Sequence, residues 1–437
     1  MERRDIMKAL GLGVASLALS GCAARKSEVA GNQPDNRKHP AAAQDEIVKT
    51  RKKAARRIRR IIMNNDGHDF NKIALEAART PETMLGGRTI GLIGTHVDSI
   101  FYCTGVFNSY THRSTESELR TDEGKTDAIH FHGLIRQGTD SLEVMTEFGH
   151  QHGLEVFWSM RMNDNHDATR PYYTSAKWKK DHPQYLVGSE GQELPVGNCK
   201  WSQVNYGLPR VRDKVFRILQ DVATRYDVDG LELDFFRHPV FFKPQTVGEP
   251  VTREHCEMMT ELLRRVRGMT EKVAARRGRP MLISARLPDS VGFNKAIGLD
   301  LIRWLEDDLI DIVVGSGYFK LEPWENLAAL GRKYGVPVYA CLVSRRIIEG
   351  GEAEVETTST ALKRWRGEAL HAWKAGVNGI YTFNRFDPHD QIFGELGDPE
   401  LLKKLERIDQ TKYVGPKGRG YSDPGSWVKG GRDFIRL

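Results

Sequence analysis

From residue 44 onward the chain alternates short apolar runs with longer amphipathic segments. Eight runs read as strands: Arg60–Asp66, Ser99–Thr104, Leu154–Asn163, Asp229–Phe236, Met281–Arg286, Ile310–Gly315, Val336–Val343 and Asn378–Asn384. Helices are predicted between them over Asp140–His152, Val211–Tyr226, Arg253–Arg276, Asp300–Glu306, Trp324–Tyr334 and Thr360–Ala375. Asp45–Arg57 precedes the series as a helix, and Leu401–Ile408 closes it. In Val211–Tyr226 the residues Val215, Leu219 and Val222 recur at helical spacing. Thr80–Gly86, Thr89–Gly94 and the stretch around His132-Gly133 read as loops. Strands that alternate with helices pair in parallel, and eight of them close on themselves. The fold class is therefore α/β, a (β/α)8 TIM barrel over residues 44–410. Gly153, Gly335 and Gly376 stand where helices end before strands three, seven and eight. Glycine stops a helix there by turning left-handed. An open doubly wound sheet would carry a Gly-rich phosphate loop after strand one, but that strand ends in Asn64-Asn65-Asp66.

A length of 437 residues suits one barrel with short extensions, and 39% hydrophobic with 28% charged residues is ordinary for a globular protein. The net charge of +7 invites a nucleic-acid reading, which its distribution removes. Much of it lies in one run, Lys49, Arg51, Lys52, Lys53, Arg56, Arg57, Arg59 and Arg60, with no nucleic-acid motif beside it. Such a run is a solvated helix face, or a contact for anionic lipid headgroups. No nucleic-acid partner and no cofactor are expected.

Residues 1–22 read as a signal peptide. Arg3-Arg4-Asp5-Ile6-Met7-Lys8 resembles the twin-arginine export signal, and Leu19-Ser20-Gly21-Cys22 resembles the bacterial lipobox. That resemblance implies lipidation of Cys22 and export, with anchoring at the cell envelope, either periplasmic or at the cell surface. Residues 23–43 carry Pro34 and Pro40 with little to bury, and read as a disordered linker. Residues 411–437 form a Gly-rich C-terminal extension with no assigned role. Cys103, Cys199, Cys256 and Cys341 lack metal-ligand spacing, and a disulfide among them is open.

In this fold reactive groups stand at the carboxyl ends of the strands. Strand one ends in Asn64, Asn65 and Asp66, strand two carries Tyr102, and strand three ends in Arg161, Asn163 and Asp164. Arg286, Ser316, Tyr318 and Asn384 follow on strands five, six and eight. A rim of amides, acids, arginines and rings suits a polyhydroxylated ligand, with Trp158, Tyr172, Tyr173 and Trp178 as candidate platforms. Strand four is the sharpest signal: Asp229-Gly230-Leu231-Glu232-Leu233-Asp234-Phe235-Phe236-Arg237-His238-Pro239. Side chains alternate along a strand. If Leu231, Leu233 and Phe235 face the helices, Glu232 and Asp234 face the interior, with Asp234 nearer the mouth. Buried acids require partners or use. Glu232 is expected to pair with Arg161 or Arg286, and Arg237 and Arg286 to hold Asp234 ionised.

The run Asp-Gly-apolar-acid-apolar-Asp is similar to the chitinase pattern, except that Phe236 replaces the acid expected two residues after the last Asp. Asn64-Asn65-Asp66-Gly67 and Phe236-Arg237-His238-Pro239 place the closer resemblance with glycosyl-hydrolase-like barrels of secreted bacterial proteins, loosely akin to family ten glycosidases. The resemblance spans Arg59–Asp387. It implies a glycosidase acting on an oligo- or polysaccharide, with Asp234 and Glu232 as catalytic candidates. Asn64, Asn65, Asp66, Tyr102, Arg161, Asn163, Asp164, Arg237, His238, Arg286, Tyr318 and Asn384 are the substrate-binding candidates. Glycosidases use two carboxyl groups, one protonated and one ionised. Glu232 lies about 6–7 Å from Asp234 along the strand and too deep to reach a leaving group, so Asp66, Asp164 and Asp387 are alternative partners. Two other classes stay open: a non-catalytic carbohydrate-binding lipoprotein, favoured by Phe236, and a metal-dependent hydrolase or isomerase. The latter rests on His130-Phe131-His132 and His150-Gln151-His152, neither at a strand end, and no metal ligand is assigned.

Overall fold

The computed structural model describes residues 40–70, 74, 78–120, 126–168, 176–347, 359–409 and 420–436. The leader, Cys22 and residues 23–39 of the linker lie outside them, as do Tyr172 and Tyr173. Eight parallel strands form a closed barrel: β1 (Ile61–Asn65), β2 (Val97–Tyr102), β3 (Glu155–Arg161), β4 (Gly230–Asp234), β5 (Leu282–Leu287), β6 (Ile312–Gly315), β7 (Val338–Leu342) and β8 (Gly379–Thr382). Each pairs with its neighbours in sequence, and β1 closes the ring against β8. This is the (β/α)8 barrel expected from the strand count. Gly153, Gly335 and Gly376 all take left-handed conformations, with φ of 73°, 68° and 92°.

Register sets the interior in levels. At the mouth, Asp234 on β4 lies between Arg161 on β3 and Arg286 on β5. One level below, Glu232 lies between Ser159 and Ser284. Below that, Gly230 lies between Phe157 and Leu282, and a Cβ on it would come within 2.3 Å of the Phe157 ring. Phe157 stacks on Phe101, whose ring meets Tyr381 edge-on at 5.7 Å. The amino-terminal end is closed by Arg59, which donates to both Glu155 oxygens at 2.6 and 2.9 Å, and Ser99 adds a third bond at 2.8 Å.

Three segments differ from the sequence expectation. Thr80–Gly86, expected as a loop, holds a helix over Pro81–Arg88. Thr80 caps it by accepting from the Thr83 N–H, and Pro81 opens the first turn. These local signals outweigh the Gly86-Gly87 pair that masks the periodicity. The stretch around His132 lies in a helix, Thr126–Arg136. The first helix begins at Pro40, inside the expected linker, where proline precedes three alanines with high helix propensity. Among the described residues no helix is long and apolar enough to cross a membrane.

Candidate active site

The site is built on β4. Arg286 donates from Nε and Nη2 to the two oxygens of Asp234, at 2.9 and 2.8 Å. Asp234 Oδ1 also accepts the backbone N–H groups of Phe236 and Arg237, each at 3.0 Å. Both partners of this ion pair are almost wholly removed from solvent. Four donors thus converge on one carboxylate and fix its orientation. Arg286 is in turn covered by the Phe383 ring, 4.1 Å from the guanidinium carbon.

Glu232 sits beneath Asp234 with no exposure. It accepts a 3.1 Å bond from the Tyr381 hydroxyl. Tyr381 lies on β8, four places from β4 around the ring, so this bond crosses the interior. Both acids therefore face inward, as strand parity requires. The Glu232 partner is Tyr381, whereas Arg286 goes to Asp234. Burial and the charge of Asp234 push the Glu232 carboxyl up to about 8. Both influences favour the protonated form of the deeper acid.

Around Asp234 the loops supply a polar rim. Asp66, after β1, is bound by Arg88 and lies 3.8 Å from Arg161. Arg161 also donates to Asp164 at 3.2 Å. His68, Arg88 and Arg161 hold Asp66 well below the usual carboxylate range despite its burial. Asp164 accepts the His166 backbone N–H at 2.9 Å and contacts its Nδ1 at 2.7 Å. It is likewise held low against desolvation, by His166, His238 and Arg161. Arg237 donates to the Tyr318 hydroxyl, and its side chain faces the Tyr318 and Phe383 rings. The C-terminal segment covers this corner. Tyr421 lies 5.3 Å from the Tyr318 ring and 5.7 Å from His238, and Trp427 packs beside both Tyr421 and His238.

Of the residues read from the sequence, Asp66, Arg161, Asp164, Asp234, Arg237, His238, Arg286 and Tyr318 are brought together here. Asn384 follows β8 in a left-handed conformation and is half-buried. Four others are committed to the frame. Asn64 donates to the Phe101 carbonyl. Asn65 and Tyr102 both donate to Asp69, and Asn65 also accepts the Gly67 N–H. Asn163 binds the backbone of Val204 on both sides of its amide and that of Val240. Asp387 is exposed and caps the His389 N–H. Trp158 is fully buried, with its indole N–H on Thr104, and so offers no platform. Trp178 packs among Phe107, His182 and Tyr185. Arg88, Phe383 and Tyr421 were not singled out for the site, whereas His166 follows the polar end of strand three. Arg88 belongs to the unanticipated helix, and Tyr421 lies in an extension without periodicity.

The histidine pairs weighed for metal have other roles. His130 stacks on Phe70, His132 Nε2 contacts the Arg120 carbonyl, and His150 Nε2 contacts Asp229 just before β4, at the opposite end of the barrel from Asp234. A different group, Asp164, His166 and His238, brings three donor atoms within 4.8 Å of one another. Its hydrogen bonding does not fit a cation. Asp164 is taken up by His166 and Arg161, and the Arg237 guanidinium lies 3.5 Å from His166 Nε2. Two guanidinium charges beside the cluster repel a dication.

Residues 115–253 match the family model described as glycosyl hydrolase-like 10. That segment contains β3 and β4, and with them Arg161, Asp164, Glu232, Asp234, Arg237 and His238. No curated protein matches the chain. Similar solved structures include alpha-L-fucosidase isoenzyme 2 from Paenibacillus thiaminolyticus, at 15% identity and a TM-score of 0.46, over 80% of this chain and 49% of that one. The chain thus spans about half the length of that relative. The PgaB (BpsB) glycoside hydrolase domain from Bordetella bronchiseptica is 12% identical with a TM-score of 0.46, over 81% of this chain and 100% of that domain. The catalytic domain of chitinase B from Arthrobacter TAD20 is 10% identical with a TM-score of 0.45, over 81% and 98%.

Proposed function

We propose that this protein processes carbohydrate as a glycoside hydrolase, with Asp234 as the ionised carboxylate of its site. One observation carries the reading. The segment matching a glycosyl hydrolase-like family presents, at the carboxyl end of β4, an acid bound through both oxygens by Arg286. A carboxylate fixed there meets the positive charge that develops at the anomeric carbon when a glycosidic bond breaks. Asp66, Arg161, Asp164, Arg237, His238, Tyr318 and Asn384 would then bind hydroxyls around it. Glu232 lies too deep to protonate a leaving group. Export and anchoring through Cys22 belong to the same reading, and would put the site outside the cytoplasm.

The experiment is Asp234→Asn, assayed on polysaccharides and aryl glycosides after a circular-dichroism check of folding. Turnover should fall by about 10²–10⁴-fold on a substrate the parent cleaves. Unchanged turnover removes Asp234 from the mechanism.

A second reading, a carbohydrate-binding barrel without turnover, is favoured by a separate observation. Asp234 already accepts four hydrogen bonds, and Phe236 occupies the position where the chitinase pattern has its acid. In that case no glycoside is cleaved, and Asp234→Asn leaves glycan affinity nearly intact.

A further inference from the structure

The cations of the mouth are not equivalent. Arg88 faces Asp66, Arg161 faces Asp164 and Asp66, and Arg286 faces Asp234. Arg385 faces Asp390. Arg237 has no carboxylate within 4.0 Å among the described residues. Its Nη1 donates to Tyr318, its Nη2 lies 3.5 Å from His166 Nε2, and its Nε is buried without an acceptor. The next residue repeats the pattern. His238 is 2% exposed, and its Nδ1 accepts the Asn165 N–H at 3.3 Å. The ring proton is therefore on Nε2, which is buried and has no partner among the described residues. The His166 ring neighbours both, 4.9 Å from the His238 ring and with its Nε2 against Arg237 Nη2. Two consecutive residues after Asp234 thus hold unused donors, one of them on an uncompensated cation.

A half-buried guanidinium without a counter-ion is costly, and its contacts with the Phe383 and Tyr318 rings, at 5.4 and 5.8 Å, offset only part of that. A ligand anion would complete it. A carboxylate is an acceptor that also carries the missing charge, and it gains a charge-assisted bond to Arg237. Neutral hydroxyls could fill the donors but would leave the charge unmatched. We propose that the site takes an acidic saccharide, one whose ring bears a carboxylate, with Arg237 and His238 as the residues that select it. The proposal rests on the carbohydrate reading above and narrows its substrate class.

The test is calorimetric titration of the full chain with D-glucuronate, D-glucose and acetate at low ionic strength. Glucuronate should bind at least tenfold more tightly than glucose, with the advantage shrinking as sodium chloride is added. Arg237→Gln should abolish the advantage, and Arg237→Lys should keep part of it. His238→Gln, which retains a donor but moves it, should weaken it. The salt dependence is read on the unaltered protein, so a variant that misfolds does not remove the test. Equal binding of glucuronate and glucose, or an advantage that survives Arg237→Gln, overturns the acidic-substituent proposal while leaving the carbohydrate reading standing. Acetate bound as tightly as glucuronate, with glucose unbound, keeps the anion site and overturns the saccharide. Binding of none of the three overturns both.

Discussion

Arg286 grips Asp234 side-on across the β4–β5 pair, Nε to one oxygen and Nη2 to the other, at the carboxyl end of β4. The pair is buried, so breaking it exposes neither partner to water. Removing one member leaves the other as an isolated interior charge, which costs about 3–5 kcal/mol. Arg286→Gln is expected to lower unfolding free energy by that amount in urea titrations. Asp234→Asn in the same background should cost far less than it does alone. Additive losses in the double-mutant cycle would show that the two side chains do not support one another.

The opposite end of the barrel gives a control. Arg59 is fully buried, and both of its carboxylate bonds go to Glu155. The amino-terminal face of this fold carries stability, not chemistry. Glu155→Ala should therefore destabilise by about 3–5 kcal/mol, as for any broken buried pair. At a temperature where the variant is folded, its ligand affinity should match that of the parent. A selective loss of binding with unchanged stability would contradict this division of labour.

The barrel was legible because its signals are local. Apolar runs of strand length and the helix-ending glycines Gly153, Gly335 and Gly376 lie within a few residues of what they determine. The parity of Glu232 and Asp234 was legible for the same reason. Their partners were not. Tyr381 reaches Glu232 from 149 residues away, and Arg286 chooses Asp234 over Glu232 only because register puts them level. The C-terminal segment is the extreme case. The Trp427 carbonyl accepts from Gln245 across 182 residues, and nothing in a Gly-rich stretch announces that Tyr421 will cover the mouth. Asn65, Tyr102 and Asn163 show the converse error. Strand-end polarity marks them as ligand contacts, yet the loops beyond the strands need those amides and that hydroxyl for their own backbone and for Asp69.

The sequence left a disulfide open, and the thiols of Cys103, Cys199, Cys256 and Cys341 are all unpaired and buried. Burial pushes Cys199 and Cys341 up to about 12. The thiolate is the reactive form, so these groups are inert in the folded state. Native protein should leave all four unlabelled by a disulfide reagent over minutes, and guanidinium should expose them together. A reductant should not shift Tm. A fall in Tm on reduction would reveal a cross-link.

Glu232 makes stability depend on pH in an unusual direction. Burial and the charge of Asp234 both oppose its ionisation in the folded protein and push its carboxyl up to about 8. In the unfolded chain it titrates near the ordinary glutamate value of about 4.3. Between those values the folded state holds a proton that the unfolded state has lost. The stability this contributes is complete below the lower value and declines as pH rises toward the higher one, by up to about 1.4 kcal/mol per pH unit. Urea unfolding from pH 5 to 9 should show the decline in the parent relative to Glu232→Gln, which is neutral throughout. Tyr381→Phe removes a bond that favours the ionised form, so it should extend the decline to higher pH. If the parent and Glu232→Gln curves run parallel across that range, the deeper acid is ionised like any other, and burial beneath Asp234 does not hold a proton on it.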